Sequence, residues 1–96
     1  MKKLAICGLG LIGGSIGLAA RERRLAREVY GLVRRPCSAR MAKRMGVVDL
    51  ATRDPAEAVR GAEMVVIAVT LGATAAVAER VRPHLPAGCI VTDRSE

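Results

Sequence analysis

Six residues near the N-terminus, Gly8-Leu9-Gly10-Leu11-Ile12-Gly13, carry the spacing G-x-G-x-x-G. A loop of this kind can hold a pair of phosphates, and each glycine has a reason to be there. Gly8 allows a tight turn out of a strand. Gly10 has no side chain, so a pyrophosphate can approach the backbone. Gly13 lets a helix pack closely on the strand it follows. The N-terminus of that helix adds N–H donors and partial positive charge. The spacing alone is weak evidence, and a glycine-rich turn without a ligand is the bland alternative. Context favours binding, because the apolar run Leu4-Ala5-Ile6-Cys7 precedes the loop and a helical pattern follows it.

A second group of residues bears on which dinucleotide would fit. About 20 residues after such a loop, an NAD site usually places Asp or Glu on the ribose 2′-hydroxyl. Here the chain reads Gly31-Leu32-Val33-Arg34-Arg35, with Ser38 close behind and no carboxylate. Arginine forks bind phosphate through charge-assisted hydrogen bonds, and their planes stack on aromatic rings. Arg34, Arg35 and Ser38 therefore predict a 2′-phosphate site, with NADP preferred over NAD. The alternative is that the two arginines are ordinary surface charges.

Other chemistry finds little support. The three cysteines (Cys7, Cys37, Cys89) are odd in number and fit neither a metal knuckle nor a CxxC pair, so they read as buried free thiols in a reducing compartment. No metal site is expected. The net charge is +7, and residues 21–44 hold nine basic groups against Glu22 and Glu28, which accounts for the whole excess. A polyanion partner, solvated helix faces and a phosphate-bearing ligand all suit that stretch. The nucleic-acid reading ranks last, since aromatic stacking residues and known binding motifs are lacking. No apolar run nears the roughly 20 residues of a membrane span. The glycines also break up any signal-peptide core, so a cytoplasmic, soluble protein without a membrane partner is expected.

The elements that must position these residues alternate along the 96-residue chain. Strands are predicted at 4–7, 29–33, 47–51, 64–69 and 90–92. Helices are predicted at 12–26, 36–45, 54–60 and 72–81. Ile12, Ile16, Ala19 and Ala20 would share the inner face of the first. Gly46 closes the second helix. Asp54-Pro55-Ala56-Glu57 opens the third as a capping box, and Thr70 can cap the fourth. Alternation of this kind predicts one α/β domain over 1–96, a doubly wound parallel sheet of Rossmann type, order 3-2-1-4-5. With Phe and Trp absent and Tyr30 the only aromatic, its core must be aliphatic.

Gly8-Leu9-Gly10-Leu11-Ile12-Gly13-Gly14-Ser15 resembles the N-terminus of the prephenate and arogenate dehydrogenases of tyrosine biosynthesis. Gly46-Val47-Val48-Asp49, the strand segment from Gly61 to Val69, Pro83-His84-Leu85 and Ile90-Val91-Thr92-Asp93 resemble further segments of that family, in order and without gaps. The resemblance implies oxidative decarboxylation of prephenate or arogenate, with hydride passing to the nicotinamide. It places the nicotinamide side near Val69, Thr70, Thr92 and Asp93. Departures accompany it. Thr70 stands where the family usually has proline, and Val33 where many members have an acid. The family's TDVGSVK segment gives way to Arg94-Ser95-Glu96, with Ser95 out of register, and the HPMAG segment with the catalytic histidine is absent. His84, the single histidine, matches the PHL position instead of the catalytic one.

The expectation is thus a truncated cofactor half, lacking the helical dimerisation domain and its catalytic residues. By itself it would bind nicotinamide dinucleotide and not turn over substrate. An exposed last strand would invite self-association. Two alternatives stay open: an NADP-dependent β-hydroxyacid dehydrogenase or imine reductase domain, and a non-enzymatic nucleotide-sensing domain.

Overall fold

The computed structural model describes residues 1–93. The chain order is β1 (Lys3–Cys7), α1 (Leu11–Glu22), β2 (Glu28–Leu32), α2 (Pro36–Arg44), β3 (Leu50–Thr52), α3 (Pro55–Val59), β4 (Met64–Ile67), α4 (Leu71–Val81), a 3-10 turn (Arg82–His84) and β5 (Ile90–Asp93). The five strands form one sheet of order β3-β2-β1-β4-β5, and every pairing is parallel. The predicted architecture and strand order are those observed.

The apolar runs explain the layering. β1 is buried along its whole length, and its side chains alternate between two cores. Leu4 and Ile6 pack with Ala20 of α1 and Ala42 of α2. Ala5 and Cys7 pack with Ala58 and Val59 of α3 and Val81 of α4. Helices therefore cover both faces, as a parallel sheet requires. The chain crosses from β3 at one edge to β4 beyond β1, so the helices change faces there. The carboxyl ends of β1 and β4 flank this switch point, where open α/β sheets bind ligands.

Several boundaries differ from the sequence expectation, each for a local reason. α1 stops at Glu22 and not near Ala26. Arg24 takes a left-handed conformation (φ 53°), the Arg24 N–H donates to the Arg21 carbonyl, and the Leu25 N–H donates to that of Ala20. This is a Schellman ending built on arginine instead of glycine, which no glycine in the sequence announces. Ala19, assigned to the inner face, is exposed. β3 begins at Leu50, not at Val47. The Val47 N–H instead donates to the Ala42 carbonyl and closes α2, and Val48 is fully buried as a core plug.

Asp54 caps α3 by accepting from the Ala56 N–H (3.0 Å). The reciprocal bond expected from Glu57 is replaced, because the Asp54 N–H donates to Thr52 Oγ1 (3.1 Å). Thr70 is the residue before α4, but its side chain makes no capping bond. β4 ends at Ile67, two residues short of Val69, although the Ala68 N–H still donates to the Cys7 carbonyl (2.8 Å). The cysteines are also unequal: Cys7 is buried, Cys89 half-buried and Cys37 exposed.

Candidate functional site

Strand register sets the site. Cys7 pairs with Leu32 on one side and Ile67 on the other, so β1, β2 and β4 end level. The loop after β1 is tied to this edge by the Gly8 N–H, which donates to the Leu32 carbonyl (2.9 Å). Gly8 has φ +93°, and a Cβ there would lie 2.6 Å from the Ala68 carbonyl oxygen. A Cβ on Gly13 would collide with the Gly8 carbonyl oxygen. The loop thus folds back on itself against β4, and only glycine fits at both positions. Gly10 is exposed at the N-cap of α1 with no side chain to occupy the helix end. The first turn of α1 holds no acidic residue, which leaves its positive end suited to an anion.

A groove of about 570 Å³ opens along this edge. Of the residues singled out in the sequence, Gly8, Leu9, Gly10, Arg34, Arg35, Ser38, Val69 and Thr70 all line it. Leu11, Ile12 and Gly13 form the first turn of α1 beside it. Asp93 ends β5 beyond β4 and does not line it; neither does Thr92. Arg94-Ser95-Glu96 lie outside the described residues. His84 is exposed in the 3-10 turn after α4, away from the groove.

The end of β2 carries no carboxylate. Val33 is buried there, its N–H donating to the Thr52 carbonyl (2.9 Å). Arg34 and Arg35 follow it into the groove wall, exposed, with the Arg34 carbonyl accepting from Arg53 Nε (3.0 Å). Sequence reasoning missed the opposite wall. Ala73, Ala76, Val77 and Arg80 of α4 complete the groove. Their helical spacing was legible as one face of α4, but which face met the groove was not. Cys7 forms part of the floor; burial pushes its thiol up to about 11, and the Arg80 charge pulls against that shift.

The basic stretch 21–44 does not form one patch. Arg21, Arg24 and Arg27 gather with Met1 and Asp49 at the amino ends of the strands, and Arg21 pairs there with Asp49 (3.1 Å). Arg34 and Arg35 stand at the opposite, glycine-loop end. Among the described residues no group of His, Cys, Asp and Glu is placed to hold a metal ion, and no helix is long and apolar enough to cross a membrane.

This sheet order, the glycine loop at its switch point and the groove beside it define a Rossmann-type nucleotide-binding domain. Residues 16–96 match the family model for the prephenate dehydrogenase nucleotide-binding domain, and the chain belongs to that family. The comparison with curated proteins found no match. Among solved structures, Synechocystis arogenate dehydrogenase is 29% identical, with a TM-score of 0.89 over 97% of this chain and 32% of that one. Prephenate dehydrogenase from A. aeolicus, in complex with hydroxyphenyl propionate and NAD+, is 22% identical, with a TM-score of 0.88 over 99% of this chain and 34% of that one. A Streptomyces aurantiacus imine reductase shares the fold less closely, at 22% identity and a TM-score of 0.70 over 98% of this chain and 32% of that one. The chain spans about a third of the length of these proteins.

Proposed function

We propose that this chain is the NADP-binding part of a prephenate or arogenate dehydrogenase, a soluble oxidoreductase of tyrosine biosynthesis. The observation that carries the cofactor choice is the end of β2, where Arg34 and Arg35 line the groove and, among the described residues, no carboxylate does. The backbone from Gly8 to Gly13 cradles the pyrophosphate, and the positive end of α1 offsets its charge. Arg34 and Arg35 bind the 2′-phosphate through charge-assisted bonds, with Ser38 as a further donor. Val69 and Thr70, after β4, flank the path toward the nicotinamide, with Asp93 farther along the same sheet edge. The bound cofactor supplies the hydride acceptor for the decarboxylating oxidation, and these residues hold and orient it.

Titrating the chain with NADP and NAD, followed by fluorescence, tests the cofactor choice. NADP binds more tightly, and replacing Arg34 and Arg35 together by Ala removes that preference, weakening NADP about tenfold or more. Equal or tighter binding of NAD to the parent chain overturns the choice. The reaction is tested by offering prephenate and arogenate, with NADP, to a protein carrying this chain. Turnover of neither overturns it.

A further inference from the structure

Arg80 lies in the third turn of α4, on the wall facing Arg34 and Arg35. Among the described residues it has no counter-ion. The neighbouring acid, Glu79, is engaged by Arg82 (3.0 Å), and among the described residues the Arg80 side chain has no ion pair or hydrogen bond. Among the described residues no Asp or Glu lines the groove. Cationic groups without an acidic partner are free to turn to a ligand.

The position of Arg80 distinguishes it from the other two arginines. Arg34 and Arg35 stand at the rim, directly after β2. Arg80 belongs to the part of the groove walled by Leu32, Val33, Ala76 and Val77 and floored by Cys7. These side chains are apolar, and Ala76 is small enough to leave room beside α4. Helical side chains lean toward their own N-terminus, which directs Arg80 up α4 toward the loop end. Arg80 and Cys7 line the same groove, and Arg80 is exposed, so its guanidinium borders the floor within reach of a ligand. An apolar stretch of groove with one planar cation at its side suits an uncharged aromatic ring. Guanidinium planes stack on such rings and donate to ring nitrogens.

We infer that Arg80 binds the adenine ring of the cofactor, packing its guanidinium against the base while Arg34 and Arg35 hold the phosphate on the ribose. The inference rests on the dinucleotide reading of the groove, but not on the choice between NADP and NAD. Arg80 is then an affinity residue common to all adenine nucleotides, and the β2 arginines are the specificity residues.

The test is calorimetric titration of the parent chain, Arg80→Ala and the Arg34→Ala/Arg35→Ala pair with AMP, NAD, NADP and nicotinamide mononucleotide. Arg80 is exposed, so its substitution leaves the thermal unfolding midpoint in place, and that midpoint is measured as a control. Arg80→Ala weakens AMP, NAD and NADP by the same factor, about 3- to 30-fold as expected for a cation stacked on a ring. It leaves nicotinamide mononucleotide, which has no adenine, unaffected. A loss confined to NADP makes Arg80 a phosphate ligand and overturns the inference, as does unchanged binding of AMP. A paired β2 variant that keeps the parent chain's preference for NADP overturns only the cofactor choice and leaves the Arg80 result readable.

Discussion

At the scale of single residues, the site is set by what is missing as much as by what is present. Gly8 and Gly13 lack the Cβ atoms that would strike Ala68 and the Gly8 carbonyl. Gly13→Ala therefore forces α1 away from β1 and abolishes nucleotide binding, which the same titrations would detect. The thiols differ in the same local way. Cys37 is exposed at the start of α2, whereas Cys7 is buried and its pKa is raised to about 11 from 9.0. Iodoacetamide at pH 8 modifies Cys37 first and Cys7 only when the chain unfolds, as peptide mapping would show. A raised folded-state pKa also has a sign. The Cys7 contribution to stability is complete below pH 9 and lost as pH rises toward 11. Cys7→Ala removes that part of the alkaline loss, measured against the parent chain.

At the scale of elements, the short helix α3 depends on groups outside it. Its five residues are too few to be stable on propensity alone. Asp54 holds one end. At the other end Lys3, 6% exposed, donates from Nζ to the carbonyls of Glu57 (3.1 Å) and Arg60 (2.8 Å) and lies 3.8 Å from the centre of the Tyr30 ring. Burial lowers the Lys3 pKa, with Glu28 opposing that shift, yet the bonds keep the amine useful as a cap. Lys3→Ala leaves two carbonyls without this donor and costs about 2 kcal/mol in urea unfolding; no loss would show that the cap is dispensable. The cap of α3 by Asp54 was readable from Asp54-Pro55. That of Lys3 was not, because it joins residues more than fifty positions apart.

At the scale of the whole molecule, the parallel sheet ends on β5, which has β4 as its one neighbour among the described residues. Ile90 and Val91 are 58% and 45% exposed on it. An apolar edge strand offers unpaired backbone to another chain. Sedimentation velocity is expected to show concentration-dependent association of the 96-residue chain, reduced by Val91→Lys. Identical, monomeric behaviour of both proteins counts against an edge contact. The charge excess, by contrast, is divided between the two ends of the sheet, which weakens any reading of residues 21–44 as a single polyanion-binding face.

The sequence by itself determined the order of elements, the parallel sheet and the near wall of the groove. These rest on short-range regularities: apolar runs four to six residues long, glycines at fixed offsets, and arginines directly after a strand. The residues quoted for the family resemblance are local in the same sense, and they led to the family that the chain belongs to. Tertiary structure decided the rest. It ended α1 on a left-handed Arg24, turned Val48 into a core plug instead of a strand residue, gave the N–H of Asp54 to Thr52, and brought Arg80 across from α4 to face Arg34 and Arg35. The ending on Arg24 and the bond to Thr52 are local arrangements that no residue type announces, whereas the Val48 plug and the position of Arg80 depend on which surfaces meet once the helices dock on the sheet. That docking is settled by packing between residues distant in the chain, and no local spacing encodes it.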